Sequence, residues 1–398
     1  MVKRYYGGLI SAATPTVSSS SASGIFNTNQ HMQAKRAGNW PSTAAPPVVY
    51  VIYSWGNNGS GQLGLTNTNS YYAPQPVGSL NWSVVSVGYS SSQAIKTDGT
   101  LWAWGENYQG VLGLGDTNNR SSPVQIGAGT TWSKISAGSY FSMAIKTDGT
   151  IWSWGKNTYG NLGLGNTTNI SSPTQIGALY DWSSISSAEV HSIAIKTDGT
   201  MWAWGRNSYG RLGLGNTTNQ SSPVQIGAGT TWLSGSAGRD FSIAIKTDET
   251  MWSWGYNGYA TLGLNNTTNY SSPKQIGGID GWLKICSMYN SCAAIKTNGT
   301  LWTWGRNTSG QLGLYNTTNY SSPKQVGALT NWSNIGPRPF NTQCHVTKTD
   351  GTLWAWGNGF QGKHGLGDTN GRSSPNQVGS LTNWLTVATG YTHSIGLG

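Results

Sequence analysis

Tryptophan recurs at nearly fixed intervals along the chain, within short apolar runs that are separated by polar, glycine-rich stretches. Trp-Gly pairs return about every fifty residues, with their tryptophans at Trp55, Trp104, Trp154, Trp204, Trp254, Trp304 and Trp356. A second set stands two residues earlier, with Tyr53 in the first repeat, and a third set is Trp82, Trp132, Trp182, Trp232, Trp282, Trp332 and Trp384. Self-similarity at this period predicts a repeat architecture.

A single repeat, residues 132–177, shows which elements the pattern predicts. Residues 143–146 are a β-prone run, and Thr147-Asp148-Gly149 is a hairpin-turn signal before residues 151–154. Alternation places Trp152 and Trp154 on one face, where we expect two stacked rings to fill the wedge between adjacent sheets. A Ser-Ser-Pro string then opens an edge strand. Four short strands in each of seven repeats indicate the blades of a propeller.

The two ends of the chain complement one another. Residues 391–397 match the strand before the Asp-Gly turn, but the Trp-x-Trp-Gly strand that should follow is missing. Residues 51–56 supply such a strand at the other end. We therefore predict an all-β, seven-bladed β-propeller over residues 48–398, closed by N- and C-terminal strands that share one blade. Residues 1–47 form a separate extended arm.

The loop string Trp-Gly-x-Asn-x-x-Gly-x-Leu-Gly, as in residues 104–113, recurs with little change. It resembles the regulator-of-chromosome-condensation repeat, and the similarity spans roughly residues 49–398. The resemblance implies the seven-bladed ring. It leaves function open, because family members include a nucleotide exchange factor, a plant ultraviolet photoreceptor and a bacterial β-lactamase inhibitor. The family's Gly-x-x-His string is kept only at residues 390–393, and the near-constant repeat length leaves no room for an inserted wedge.

Only 9% of the residues are charged, so the surface is neutral and polar, as is common in extracellular and virus-particle proteins. The net charge of +10 is spread over the repeats and not clustered. A nucleic-acid partner is therefore not expected, because phosphate binding favours a dense basic stripe. No apolar run is long enough for a transmembrane helix.

The titratable residues do not indicate an enzyme. Five of the 13 carboxylates fall in the hairpin turn, and the histidines lack metal-ligand spacing. We therefore expect no catalytic residue, metal or cofactor. Of three cysteines, Cys286 and Cys292 either pair across a hairpin or are small buried residues.

Positions that vary among the repeats are candidates for binding. They follow the Trp-Gly pairs, in loops at one end of the ring, and are Tyr108, Lys156, Tyr159, Arg206, Tyr209, Tyr256, Tyr259, Arg306 and Phe360. Aromatic faces beside cations can hold sugars or protein partners, and packing within the rim is the competing and simpler explanation.

The arm carries a second resemblance. Residues 24–41 look like N-terminal segments of tailed-bacteriophage particle proteins, especially fibre-like ones, and residues 27–38 suit a short helix. We take Phe26, Met32 and Trp40 as anchoring residues. The competing interpretation is a linker tail.

Together these features predict a non-enzymatic virion protein of a tailed bacteriophage, in its tail, baseplate, fibre or capsid. The arm would dock onto other virion proteins, and multiple copies of the propeller would present a face to a host glycan, a host protein or a neighbour. The alternative is a secreted, extracellular bacterial propeller that acts as a protein-binding or inhibitor module.

Overall fold

The computed structural model describes residues Arg4–Tyr5, Gly8–Leu9, 50–336 and 342–398, with the backbone alone in the first two segments and at positions 79 and 80. The chain divides into two units, Met1–Val49 and Tyr50–Gly398. In the first unit, strand β1 (Arg4–Tyr5) pairs antiparallel with β2 (Gly8–Leu9). The predicted arm helix and the anchoring residues Phe26, Met32 and Trp40 lie outside the described residues.

The described residues of the second unit form five four-stranded antiparallel sheets and one seven-stranded sheet. The four-stranded sheets are blade 2, with β8 (Trp132–Ala137), β9 (Phe141–Lys146), β10 (Ile151–Gly155) and β11 (Ile170–Gln175); blade 3, with β12 (Trp182–Ser187), β13 (His191–Lys196), β14 (Met201–Gly205) and β15 (Gln220–Gln225); blade 4, with β16 (Trp232–Ala237), β17 (Phe241–Lys246), β18 (Met251–Gly255) and β19 (Tyr270–Ile276); blade 5, with β20 (Trp282–Ser287), β21 (Ser291–Lys296), β22 (Leu301–Gly305) and β23 (Tyr320–Gln325); and blade 6, with β24 (Trp332–Ile335), β25 (Gln343–Lys348), β26 (Leu353–Gly357) and β27 (Arg372–Gln377).

The seven-stranded sheet comprises two blades that share one long strand. It contains β28 (Thr386–Thr389), β29 (His393–Leu397), β3 (Tyr50–Gly56), β4 (Tyr71–Val87), β5 (Ser91–Lys96), β6 (Leu101–Gly105) and β7 (Arg120–Gln125). The first part of β4 completes blade 7 beside β3, and its second part opens blade 1 beside β5. Positive φ angles at Gly78 (52°) and Asn81 (81°) mark the change of direction. Single 3-10 turns occur at Tyr108–Gly110, Ser208–Gly210 and Phe360–Gly362.

Blade 7 confirms the predicted closure. Strand β29 pairs antiparallel with β3 in a register that runs from His393 opposite Gly56 to Leu397 opposite Ile52. The C-terminal strand therefore has a partner from the N-terminal side of the propeller. A free ladder edge, which would template aggregation, is thereby avoided.

The first strand of each blade lies at the centre of the ring, where these strands form a closed cycle of neighbours in the described residues. Serine hydroxyls connect them, because Ser86 Oγ accepts the N–H of Ala137 at 2.9 Å and Ser136 Oγ accepts that of Ser187 at 2.9 Å. The strand that carries the Ser-Ser-Pro string is the outermost one, as predicted. Pro173 thus occupies an edge position, where no ladder hydrogen bond is lost.

The buried tryptophan of each Trp-Gly pair lies between two blades. Trp154 is fully buried, and its Nε1 donates to the carbonyl oxygen of Val111 in the preceding blade at 2.9 Å. Gly113 lies against the same indole, since a Cβ there would stand 2.7 Å from Nε1. The hydrogen bond repeats at Trp55, Trp204, Trp254, Trp304 and Trp356. The Leu-Gly of the loop string therefore serves the interface between blades.

The expected stacking of the two tryptophans within one strand is wrong. Trp152 and Trp154 both contact Trp132 instead, edge to face, at centroid distances of 5.9 and 6.3 Å. Trp152 is only half-buried and lies on the rim. The third tryptophan of the repeat separates the two rings, because an edge-to-face arrangement is favoured over a sandwich.

The hairpin aspartates serve the turn, as expected. Asp148 Oδ1 accepts hydrogen bonds from the N–H and the hydroxyl of Thr150, whose Oγ1 in turn accepts the indole N–H of Trp152. These bonds lower the pKa of the Asp148 carboxyl. Cys286 and Cys292 are both buried, and their thiols contact the carbonyl oxygens of Gly336 and Thr261 at 3.0 and 3.5 Å. They are the small buried residues of the second alternative.

Removal of residues 50–56 should open the ring. The deletion takes β3 from blade 7 and exposes both the ladder edge of β29 and the apolar surface under Trp384. We expect aggregation on size-exclusion chromatography and a lower melting temperature. A chain that lacks only residues 1–47 is the control and should remain monomeric and folded. Equal melting temperatures for the two deletions would contradict the shared blade.

Substitution of His393 by Gln should make the fold less sensitive to acid. His393 is buried with Nε2 2.7 Å from Ser92 Oγ in blade 1, and burial lowers its pKa to about 3. Below pH 6.5 the unfolded chain therefore binds a proton at this histidine, whereas the folded chain does not. As a result, the free energy of unfolding falls as the pH is lowered. Between pH 7 and pH 5, the free energy of unfolding should therefore fall by up to about 2 kcal/mol less in the His393→Gln variant than in the parent chain.

Gln343 supports this choice of substitution, because it fills the equivalent place in blade 6 with Nε2 3.2 Å from Ser394 Oγ. Urea unfolding at the two pH values measures the difference. The same pH dependence in variant and parent would show that His393 does not remain neutral in the folded chain.

Candidate interaction face

One end of the ring carries the residues that vary among the repeats, and we call it the loop face. It consists of the short loops 88–90, 138–140, 188–190, 238–240, 288–290 and 390–392 and the long loops 57–70, 106–119, 156–169, 206–219, 256–269, 306–319 and 358–371. The two kinds of loop are joined within a blade, as where the N–H of Lys156 donates to the carbonyl oxygen of Tyr140 at 2.8 Å. The opposite end, formed by the hairpin turns, is the turn face.

A buried asparagine holds the long loop in each of blades 1 to 5 and in blade 7. In blade 1, Asn107 Oδ1 accepts the N–H of Leu112 at 2.9 Å, and its Nδ2 donates to the carbonyl oxygen of Asp116 at 3.0 Å. These two bonds fix the loop from inside and leave the adjacent side chain, Tyr108, 47% exposed. The Asn of the loop string is thus architectural, and its neighbours are presented to solvent.

Four tyrosines from three blades form a row on the loop face. Tyr89 stacks on Tyr391 with a centroid distance of 4.4 Å and on Tyr140 at 5.3 Å, and Tyr108 meets Tyr140 edge to face at 5.3 Å. Lys156 Nζ stands 5.7 Å from the Tyr140 ring. Burial, followed by the neighbouring tyrosines, raises the pKa of Tyr89 to about 12.

The other predicted residues form two smaller groups. Arg206 lies over Tyr159 at 5.0 Å across the boundary between blades 2 and 3. Tyr256 contacts Tyr209 at 4.9 Å and Tyr259 at 6.1 Å. Arg306 also lies over Tyr259, at 5.0 Å. Phe360 is 64% exposed in the loop of blade 6.

Tyr209 adopts a backbone conformation that is unusual for an aromatic residue. Its φ angle is 65°, in the left-handed region where glycine and asparagine are favoured. Gln109 and Gln361 have the same conformation at the equivalent place in the loops of blades 1 and 6, with φ angles of 58° and 61°, so the geometry of the loop enforces it. Here it turns the Tyr209 ring towards Tyr256 of the next blade.

Charged residues of the short loops join this face between blades 3 and 5. Arg239 Nε lies 3.2 Å from Glu189 Oε2 and 3.5 Å from Asp240 Oδ2, and its guanidinium covers the Tyr289 ring at 4.3 Å. The buried Arg211 pairs with Asp240 at 2.7 Å. Burial lowers the pKa of Arg211, and the Asp240 carboxylate opposes that shift.

Sequence reasoning missed the short-loop members of the face, which are Tyr89, Tyr140, Glu189, Arg239, Asp240, Tyr289 and Tyr391. Their positions also vary among the repeats. A comparison of the short-loop residues among the repeats, like the one made for the residues that follow the Trp-Gly pairs, would therefore have found them.

The loop face carries a small cleft. A cleft of about 50 Å³ between blades 2 and 3 is lined by residues that include Tyr140, Lys156, Tyr159 and Glu189. Pockets that enclose small ligands usually measure about 300–1,000 Å³. The arrangement therefore suits contact with a macromolecular surface more than enclosure of a substrate.

Within the described residues, no three His, Cys, Asp or Glu side chains are grouped so that they could hold a metal ion. His191, His345, His364 and His393 are buried and contact serine hydroxyls or backbone carbonyls. No helix in these residues is long and apolar enough to span a membrane.

Comparison with protein families finds seven matches to the regulator of chromosome condensation (RCC1) repeat. They cover residues 51–95, 98–145, 148–195, 198–245, 248–295, 298–335 and 350–397. A second model with the same description matches residues 132–161, 183–211 and 233–260. A search of curated protein sequences finds no match.

Solved structures with similar folds include three propellers. Prp20p from Saccharomyces cerevisiae, described with its binding to Gsp1p and histones, has a TM-score of 0.79 and 17% identity over 89% of this chain and 92% of its own. Human WBSCR16 has a TM-score of 0.78 and 20% identity over 88% and 98%. Yeast RCC1 (Prp20) in complex with Kap60 has a TM-score of 0.80 and 17% identity over 100% and 96%.

Substitution of Lys363 by Gln should stabilise the propeller at neutral pH. The Lys363 ammonium lies beneath the loop face, 5% exposed, 3.4 Å from the carbonyl oxygen of Tyr391, and burial lowers its pKa to about 8. Below pH 8 the folded chain therefore buries an ammonium charge that water solvates better in the unfolded chain. Gln62 and Gln311 fill the equivalent places in other blades.

We expect an increase of up to about 3 kcal/mol in the unfolding free energy at pH 7, which should shrink as the pH approaches 10.5. Urea unfolding at pH 7 and pH 9.5 measures it. The Lys156→Gln variant is the control and should change little, because that amine lies on the exposed side of the face. An unchanged or lower stability for Lys363→Gln would contradict the expected cost of the buried charge.

Proposed function

Because the chain belongs to the regulator of chromosome condensation (RCC1) repeat family, we propose that it is a non-enzymatic binding scaffold whose loop face contacts a macromolecular partner. The observation that carries this proposal is the set of tyrosines and arginines that vary between otherwise similar repeats and meet across blade boundaries. Tyrosine and arginine are enriched among the residues that dominate binding energy in protein interfaces.

A non-catalytic role agrees with the duties of the titratable residues. The turn aspartates accept hydrogen bonds from threonine, and His393 and His191 bridge adjacent blades through Ser92 and Ser242. The turn aspartates are bonded to threonine and the two histidines are buried, so none of these groups belongs to an exposed acid–base pair of the kind that proton transfer to a substrate requires. The description of Prp20p by its binding to Gsp1p and histones provides a further analogy, at the level of the fold alone.

We further propose that the scaffold is a component of a tailed-bacteriophage particle, with residues 1–47 as its anchor. Support comes from the sequence of residues 24–41, which resembles the N-terminal segments of fibre-like particle proteins, and from the low content of charged residues. Phe26, Met32 and Trp40 are the anchoring side chains of this proposal. The alternative, a secreted bacterial binding or inhibitor module, would use the same loop face without a particle.

Particles assembled with variant chains test the anchor and the face separately. A chain without residues 1–47 should fold but be absent from purified particles by mass spectrometry, because a docking segment gains its order from the partner surface. The loop-face variant Tyr108→Asn, Tyr209→Asn and Tyr259→Asn should be incorporated normally but adsorb to host cells about tenfold more slowly. Asparagine is chosen because it tolerates the positive φ of Tyr209.

The matched control replaces three exposed residues of the turn face, Tyr180, Ile279 and Leu329, by Asn and should leave adsorption unchanged. Normal incorporation of the truncated chain would refute the anchor. Slow adsorption of the control with normal adsorption of the loop-face variant would refute the choice of face. Absence of the full chain from particles would favour the secreted alternative.

A further inference from the structure

The side of the ring carries a groove that repeats between neighbouring blades. The ends of the long loops line one wall of it, but it shares no residue with the tyrosine row of the loop face. Between blades 3 and 4 it measures about 560 Å³ and is lined by Leu214 and Gly215 from one blade and by Trp232, Lys246 and Trp252 from the next. Equivalent grooves of about 320 and 410 Å³ lie between blades 2 and 3 and between blades 7 and 1. These volumes fall in the usual range of small-ligand sites.

The aromatic wall of the groove is held rigidly. Trp252 is half-buried, and its Nε1 donates to Thr250 Oγ1 at 2.9 Å, so the orientation of the ring is fixed. Trp232 meets it edge to face at 6.3 Å. A preorganised indole surface binds a ligand face without the entropic cost of ordering a side chain.

A lysine stands over this aromatic wall. Lys246 Nζ lies 4.2 Å from the Trp252 ring and 4.9 Å from the Trp232 ring, and it forms no ion pair with the described carboxylates. The same lysine and its two tryptophans recur in six blades, at Lys96, Lys146, Lys196, Lys246, Lys296 and Lys348. The groove thus offers a positive charge beside a flat apolar surface.

Amides and hydroxyls complete the lining. Asn216, Gln220 and Gln225 come from blade 3, and Ser272 from blade 4. In addition, the Trp232 indole N–H has no acceptor among the described residues, and it lies beside Gly229 of the groove lining. A small displacement of this glycine turn would let a ligand oxygen accept that hydrogen bond, which a buried donor favours.

From this lining we propose that the grooves bind acidic pyranose units of a polysaccharide. The C–H face of the sugar would pack on the exposed tryptophan, its hydroxyl groups would pair with the amides, and its carboxylate would approach the lysine ammonium. Charge complementarity favours an acidic over a neutral sugar, because five of the six lysines have no ion-pair partner in the described residues and the chain carries a net charge of +10.

Repetition around the ring makes a polysaccharide the fitting ligand. One groove offers a single small contact area, but a chain that spans several grooves gains from effective concentration. This inference does not rest on the proposed partner of the loop face, since the grooves share no residue with the tyrosine row.

Two places in the ring depart from the pattern and provide internal contrasts. Between blades 2 and 3, Asp181 pairs with Lys196 at 3.2 Å, so the groove charge there is already neutralised. In blade 7, Gly398 and Tyr53 replace the lysine and the outer tryptophan. Lys348 of blade 6 is buried, with 7% exposure. We therefore expect four grooves to bind the acidic sugar well, and these two and the groove of Lys348 to bind it poorly.

Titration of the full chain with trigalacturonate, followed by calorimetry and tryptophan fluorescence, tests the proposal. We expect quenching and several equivalent sites for each chain, and about tenfold weaker binding of the methyl-esterified trimer, which lacks the carboxylates. Replacement of Lys146, Lys246 and Lys296 by Gln should remove three of the tight sites. The Asp181→Thr variant, which reproduces the residue found at positions 131 and 231, should add one.

The charge-matched control replaces Lys134 and Lys284 by Gln and should keep every tight site, whereas replacement of Lys146 and Lys246 alone should remove two. Equal losses in these two double variants would overturn the proposal, since general electrostatic attraction would explain them. Absence of quenching in the parent, equal binding of the esterified trimer, or tighter groove-dependent binding of a thymidylate oligomer of the same charge would also overturn it. Fluorescence of the parent chain with the two trimers separates these outcomes even if a variant fails to fold.

Discussion

The buried indole of each Trp-Gly pair is the contact on which the ring depends. In blades 2 to 7 its N–H donates to a carbonyl oxygen of the preceding blade, whereas the Trp104 indole N–H of blade 1 has no acceptor among the described residues. In blades 2, 3, 4 and 7 that oxygen also accepts a serine hydroxyl from the adjacent strand, as where Ser142 and Trp154 both reach Val111. The glycine of the Leu-Gly string leaves room for the indole to pack against the backbone of the preceding blade. Six of the seven interfaces between blades thus use the same indole donor. Closure of the propeller places Trp55 Nε1 3.0 Å from the carbonyl oxygen of Lys363. The interface between blades 6 and 7 therefore has the same hydrogen bond as the interface between blades 1 and 2.

Blade 6 carries two linked changes in the loop at this interface. Gly359 stands where other blades have the buried asparagine, and His364 stands where they have leucine. A Cβ at Gly359 would lie 2.5 Å from His364 Nε2, so the glycine makes room for the ring. Nδ1 of His364 accepts the N–H of Leu366 at 3.2 Å, and Nε2 reaches the carbonyl oxygen of Asn370 at 2.8 Å. Burial lowers the pKa of His364, which suits a neutral ring that accepts at one nitrogen and donates at the other.

The fold could be predicted from the sequence because its determinants are local and repeated seven times. Even the closing strand pair followed from a strand that was missing at one end and present at the other. The side-chain arrangement was less accessible, since the contact between Trp132 and both Trp152 and Trp154 depends on three strands of one sheet. The loop face was the least accessible part. Tyr89 and Tyr391 lie at opposite ends of the propeller sequence and meet only because the ring closes.

Variation and repetition carry different information in such a ring. The buried tryptophan, the glycines and the asparagine recur because each blade needs them to hold the next. The lysine over the tryptophan pair also recurs, yet blade 7 forms its sheet in register with glycine at that place and tyrosine for the outer tryptophan. Blade geometry therefore does not require the lysine. A cation over a ring contributes about 0.5–1 kcal/mol where the pair is exposed and about 2 kcal/mol where it is desolvated. Lys196 and Lys348 are buried and serve the fold in this way, whereas Lys96, Lys146, Lys246 and Lys296 are only half-buried, so in those four blades the charge and the indole are available to a ligand as well.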